Sequence, residues 1–202
     1  MLQLAEGQEM DGRRARGIRT RGMIVDALMD LVASGDLSPT AQRVAAKAGV
    51  SVRSVYQHFN DVEGLYTDAA RRSFDWIRSS AKDIDPAWPL ERRIDEFVAS
   101  RAAALETMSA FTRAVRMMEP SSTALEQIRL DLQRWSRDRV AYIFGPELDR
   151  MEGRARGSVL AAIDAISSAE AWGHMRFAGQ SERAARQTLR ASISALLSVP
   201  TH

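Results

Sequence analysis

Ser38 to Phe59 reads SPTAQRVAAKAGVSVRSVYQHF, and this stretch decides the fold. Its pattern is that of two short helices joined at a glycine. Pro39 suits a first helical turn, where its missing N–H would have no partner anyway, and Ser38 ahead of it is a capping residue. Val44, Ala45 and Ala48 then recur at helical spacing. Gly49 marks the end of that helix, because glycine takes a left-handed backbone at little cost. Ser51 is placed to cap the next helix. Val52 and Val55 lie on one side of it, while Arg53, Ser54, Tyr56 and His58 offer polar reach on the others. A small-residue first helix, a tight turn and a short polar second helix is the composition of a helix-turn-helix that reads DNA.

Two such helices bury too little surface to stand alone, so their neighbours must complete the unit. Upstream, Ile24, Ala27, Leu28, Leu31 and Val32 form an apolar stripe that predicts a helix from Ile18 to Ser34, closed at Gly35. Residues 1–17 are polar and lack an apolar period, which predicts a disordered arm. Arg13, Arg14, Arg16, Arg19 and Arg21 make a basic block there. It reads either as a solvated tail or as an arm that adds affinity at DNA phosphates or in the minor groove. Downstream, Asp61 caps a helix over Val62 to Ser80, with Leu65, Ala69, Phe74 and Ile77 facing inward. Pro86 and Pro89, within Asp83 to Pro89, mark the expected domain boundary.

Beyond Pro89 the period stays helical. The pattern predicts a helix from Leu90 to Leu105 and a shorter one from Ser109 to Met118, ended by Glu119-Pro120. Another starts at Ser121-Ser122 and stops at Gly145-Pro146, with a polar connection over Glu147 to Gly153. Two last helices follow, Arg154 to Phe177 and Ser181 to Val199, joined at Gly179. No stretch alternates with period two for long enough to be a strand. The fold class is all-α. A three-helix head with a linking helix occupies 18–82, after an arm over 1–17, and a larger helical domain occupies 83–202.

The chain has 202 residues and a formal net charge of +2, too mild to announce nucleic acid without the motif. It has no cysteine, which excludes disulfides and thiolate chemistry and fits a reducing compartment. No apolar run approaches a membrane span and the N-terminus lacks a signal-peptide core, so the expected location is cytoplasmic, without a membrane partner. Glu170 and His174 sit four residues apart on one helix face, but two ligand types without a third do not make a metal site. No nucleophile–base pair is legible, and no glycine-rich loop follows a strand. The reading is therefore of a chain that is not an enzyme, with no cofactor and no metal.

The segment VAAKAGVSVRSVYQHFNDVEGLY resembles the DNA-binding signature of the TetR (TetR/AcrR) family of one-component transcriptional regulators. Val44-Ala45, Ala48-Gly49-Val50-Ser51, Val55-Tyr56, His58-Phe59 and Gly64-Leu65 carry the likeness, which covers roughly residues 18–70. The resemblance implies a sequence-specific regulator, a repressor released from a palindromic double-stranded operator by a small-molecule effector. By matched position it gives DNA contacts to Ser51, Arg53, Ser54, Tyr56 and His58. Arg53 suits a guanine edge, and Ser51, Ser54, Tyr56 and His58 suit phosphates. Thr40, at the start of the preceding helix, would place backbone N–H groups on a phosphate. Arg43 and Lys47 are lesser candidates. Where the family carries a lysine at the start of the following helix, this sequence has Val62, which removes one expected phosphate contact.

The resemblance also implies a homodimer through the last two helices. The stripes Val159, Ala162, Ile163, Ile166, Ala169 and Ala184, Leu189, Ile193, Leu196, Leu197 would supply it; alternatively they close the core of a single chain. An effector pocket is implied in the larger domain. Met108, Phe111, Met117, Met118, Trp135 and Trp172 are its candidate walls, because methionine and aromatic side chains make adaptable apolar surfaces. Arg101, Arg113 and Arg116 are candidate anchors for an anionic group. Two rival readings stay open: a nucleoid-type protein that binds DNA without sequence preference, and an all-α small-molecule carrier or enzyme.

Overall fold

The computed structural model describes residues 2–198, with side chains from Arg14 onward. Among the described residues the regular structure is all helical. In chain order the helices are α1 (Leu2–Ala33), α2 (Ala41–Ala48), α3 (Val52–His58), α4 (Val62–Ser80) and α5 (Leu90–Met118). After a single 3-10 turn, Glu119–Ser121, come α6 (Thr123–Ile143), α7 (Gly145–Leu148), α8 (Gly153–Ile166), α9 (Ala169–Phe177) and α10 (Glu182–Leu197). The all-α expectation holds, and α4 has the bounds read from the sequence.

The chain divides into two compact units, residues 1–73 with 110–126 and residues 74–109 with 127–202. The division does not fall at Asp83–Pro89. Helices α4, α5 and α6 each give residues to both units, so the split follows packing between segments far apart in sequence, which prolines do not mark.

In the first unit α1 packs on both α2 and α3. Ile24, Ala27, Leu28 and Val32 of α1 are buried, as are Val44, Ala45 and Ala48 of α2, Val55 of α3, and Leu65, Tyr66 and Ala69 of α4. The Tyr66 hydroxyl donates to the Leu37 carbonyl at 3.1 Å, and its ring stacks on Phe111 at 6.4 Å. Burial, with Asp36 nearby, pushes the Tyr66 pKa up to about 12.

In the second unit one core gathers Ile94, Phe97 and Val98 of α5, Val140 and Ile143 of α6, Val159, Leu160 and Ile163 of α8, and Leu189, Ile193 and Leu197 of α10. A smaller cluster holds Ala102, Leu105, Trp172 and Ala185. The stripes expected to pair two subunits thus close the core of the single chain. What they leave outside is a face of small residues: Gly157, Ala161 and Ala165 on α8, Ala191 and Ala195 on α10.

Four local expectations are corrected. The arm expected to be disordered over 1–17 is helical from Leu2 onward and belongs to α1, where arginine and alanine are good helix formers. The segment from Leu90 to Met118 is one helix, since it contains neither glycine nor proline, and the Thr107 hydroxyl bonds back to the Ala103 carbonyl at 2.8 Å. The segment from Arg154 to Phe177 is two helices. The Ser167 hydroxyl donates to Ile163 O at 2.7 Å, and Ser168 Oγ caps Ala171 N–H at 3.1 Å, so adjacent serines end one helix and start the next. Finally, α2 is capped by Thr40, whose Oγ1 accepts from Arg43 N–H at 3.3 Å, and not by Ser38. Pro39 is buried outside the helix, so the first turn begins after it.

Arg93 ties the second unit together. It is buried, and its guanidinium donates to Trp88 O at 2.8 Å, to Ile143 O at 2.7 Å and, as a two-pronged pair, to Glu147 at 2.7 and 2.6 Å. Removing one member of such a pair leaves the other charge buried alone. Arg93→Ala is expected to lower unfolding free energy by about 3–5 kcal/mol in urea titrations, and the double change Arg93→Met with Glu147→Leu to recover much of that loss.

Candidate nucleic-acid interface and ligand cavity

Helix α3 spans two turns, too short to persist without tertiary support. Its start is fixed by Ser51, whose Oγ accepts from Ser54 N–H at 3.1 Å. Its approach is set by Gly49 in the left-handed region, φ 67°, whose N–H bonds back into α2. Its inner side is pinned by Val55 and Phe59, both buried. Its end is held by Arg21 of α1. The Arg21 guanidinium lies over the Phe59 ring at 4.2 Å, donates to the His58 carbonyl, and pairs with Asp68 of α4 at 2.6 Å. Arg21 is therefore a structural clamp, not a member of a free basic arm. Asp61 Oδ1 caps α4 at Gly64 N–H, 2.7 Å, as the sequence suggested.

With its inner side held, α3 presents Arg53, Tyr56 and Gln57 to solvent, three and four residues apart on one face. Tyr56 is half exposed. Ser54 and His58 flank this face half-buried, and Gly17 of α1 passes beside the His58 ring. Thr40 and Ser51 are exposed at the two helix starts. Each uses its side-chain oxygen as a cap acceptor, which leaves the hydroxyl proton free to donate. The six residues singled out from sequence thus lie on or beside one helix-turn-helix. Gln57 was missed; its exposed position between Tyr56 and His58 was the available signal, and its amide has the donor–acceptor pair that matches an adenine edge. Arg43 and Lys47 are engaged with Asp36 and Asp30 at 2.7 and 3.3 Å. Val62 stands beside Tyr56 in a shallow cleft with Asp61 and Leu65. Arg14, Arg16 and Arg19 of α1 are exposed.

The second unit holds a cavity of about 210 Å³ among α4, α5 and α6. Trp76, Ile77, Phe97, Trp135 and Val140 make its apolar wall. Arg101, Arg139 and the hydroxyls of Ser80, Ser100 and Ser136 make its polar one. Trp135 meets Phe74 edge-on at 6.3 Å and carries the Arg139 guanidinium 5.9 Å from its ring centre. Arg101 Nε donates to Ser167 O at 2.7 Å, and its Nη1 reaches Ser136 Oγ at 3.4 Å. Burial pulls the Arg101 pKa down to about 10; Asp164 works against that and Arg139 adds to it. Burial also lowers the Arg139 pKa, with Asp83 opposing. The Arg101 value still leaves that guanidinium charged at neutral pH.

Of the six pocket residues expected from sequence, only Trp135 lines this cavity. Phe111 stacks in the first unit, Met117 is exposed, and Met108 and Met118 are half-buried elsewhere. Trp172 is buried in the smaller cluster, its Nε1 donating to Glu106 at 2.8 Å. Arg113 and Arg116 are exposed and apart from it. The difference has a physical cause: bulky apolar side chains fill space, whereas a cavity forms where small ones fail to. Ser80, Ser100, Ala104 and Ser136 supply the missing volume. Glu170 and His174 are joined by no further residues able to hold a metal ion with them among the described residues.

No family model matches the sequence, and no curated protein matches it. Solved structures do. A transcriptional regulator from Rhodococcus sp. Rha1 superposes with a TM-score of 0.72 at 18% identity, covering 89% of this chain and 99% of that one. A TetR-family regulator from Streptomyces coelicolor gives 0.72 at 17%, covering 88% and 80%. A TetR-family regulator from Mesorhizobium loti gives 0.65 at 20%, covering 90% and 96%. This chain has the TetR-regulator fold. The expectation drawn from Val44 to Leu65 therefore extends to nearly the whole chain, at the level of fold. No helix among the described residues is long and apolar enough to cross a membrane.

Within this fold the capping of α3 should be measurable. Ser51→Ala is expected to lower stability by about 0.5–2 kcal/mol in urea unfolding, and Ser51→Gly by only a few tenths, because glycine also tolerates the cap backbone.

Proposed function

We propose that this chain is a sequence-specific DNA-binding transcriptional regulator that works as a homodimer, a repressor that a small-molecule effector releases from a palindromic operator. The observation that carries the reading is the face of Arg53, Tyr56 and Gln57, turned to solvent on a helix whose opposite side is buried and clamped. That is the arrangement a recognition helix needs to enter a major groove. Arg53 then serves a guanine edge and Gln57 an adenine edge. The hydroxyls of Thr40, Ser51, Ser54 and Tyr56, together with His58, serve phosphates and fix the register. With valine at position 62, fewer phosphates are held, and the exposed arginines of α1 offer replacement charge.

One short helix reads few base pairs, and helix-turn-helix proteins gain specificity by pairing half-sites. The small-residue face left outside on α8 and α10 supports pairing there, since small side chains allow helices to approach closely. The cavity supports the effector. Helix α4 supplies Leu65 and Tyr66 to the first unit and Trp76, Ile77 and Ser80 to the cavity wall. A ligand relieves repression only by the difference in its affinity for the DNA-competent and DNA-incompetent states.

Selection of bound duplexes from a random pool, followed by gel shifts against competitor DNA, tests the reading. A regulator recovers a two-fold site and holds it orders of magnitude more tightly than bulk DNA; recovery of no preferred site would leave a nucleoid-type binder. On the selected site Arg53→Ala is expected to cost about 1–3 kcal/mol and to relax preference at one base position, whereas an equal loss on every sequence would make Arg53 a phosphate contact. Ala165→Glu is expected to shift the protein to monomer in sedimentation velocity and to weaken operator binding with it.

A further inference from the structure

We propose that the cavity of the second unit takes a small organic anion, a compact aromatic carboxylate, with its acid group on the Arg101 guanidinium and its ring among Trp76, Trp135 and Phe97. This deepens the effector reading above and rests on it. The starting point is an imbalance of charge. Two other arginines that reach between helices have bonded acids: Arg93 has Glu147 and Arg21 has Asp68. Arg101 has none. A guanidinium offers five N–H donors. The bonds Arg101 makes are one to a backbone carbonyl and one long one to a hydroxyl, both neutral acceptors. Asp164 acts on it only through space and faces Arg137 at 3.9 Å. The second cation of the wall, Arg139, donates to the Lys82 carbonyl, again a neutral acceptor. Among the described residues no aspartate or glutamate lines the cavity.

Holding a largely buried guanidinium without a bonded anion is costly, and the fold bears that cost at a wall of an open space. A carboxylate supplies two parallel acceptors that match the guanidinium fork. The rest of the wall is indole, phenyl and aliphatic surface, which asks for an apolar body on the same molecule. The volume, about 210 Å³, lies below the 300–1,000 Å³ typical of drug-sized ligands, which selects a single ring over a fused one.

The test uses the full chain without DNA, at fixed ionic strength. Benzoate and phenylacetate are titrated beside benzamide and phenylacetamide, which keep the shape without the charge, and beside benzylamine. Tryptophan fluorescence and thermal unfolding are read. The acids are expected to bind at least about tenfold more tightly than their amides, the worth of one charge-assisted pair, and benzylamine not at all. Arg101→Gln is expected to erase the difference between acid and amide. Ala104→Phe, which fills the cavity and leaves both arginines in place, is expected to abolish binding of acid and amide alike while the protein stays folded. Arg139→Gln supplies a second charge change if Arg101→Gln fails to fold, and is expected to weaken the acids and not the amides. Equal affinity for acid and amide, an acid preference that survives in Arg101→Gln, or no acid binding at millimolar concentration would each overturn the proposal. Acid binding that leaves a selected operator occupied in gel shifts would support the ligand class and overturn the effector role, so the two failures are distinguishable.

Discussion

Arg21 is the residue on which the candidate reading surface depends. It joins three helices through three kinds of contact: a charged pair with Asp68 on α4, a hydrogen bond to the last carbonyl of α3, and a cation–π contact with Phe59. Helix α3 has only seven residues and could not hold its shape in water. Its orientation is imposed from below by Val55 and Phe59, from the front by the Ser51 cap and from behind by Arg21. The exposed side chains of Arg53, Tyr56 and Gln57 take their geometry from this scaffold.

The second unit treats buried charge in two ways. Arg93 is closely matched: four of its five N–H donors meet a carbonyl or the Glu147 carboxylate. Such a site fixes packing between α5, α6 and α7. Arg101 is half matched and faces empty space. The two arginines, eight residues apart on one helix, thus differ in partners: one is paired with a carboxylate, the other bonds only neutral acceptors.

Periodicity and punctuation in the chain were enough for the class of fold and for most helix ends. Gly49, Ser51 and Asp61 act locally, through a left-handed turn and two caps, and their roles were legible because they need no distant partner. The serines at 167 and 168 also act locally, yet their break was hidden by the apolar stripe running through them. The stripes of α8 and α10 were legible as buried faces, but nothing in a stripe says whether its partner is the same chain or another.

The sequence by itself determined the all-α fold, the helix-turn-helix and the residues that its second helix carries, because helical period, capping and glycine turns are set by neighbours within a few positions. Only the tertiary structure decided that Arg21 is a clamp, that Gln57 shares the exposed face, that the interior stripes are already closed within one chain, and that the cavity belongs to Arg101, Trp76 and Trp135 in place of the methionines. Those assignments depend on which segments meet across tens of residues. A cavity in particular is the volume that packing leaves unfilled, a property of the assembled helices that no single stretch of chain encodes.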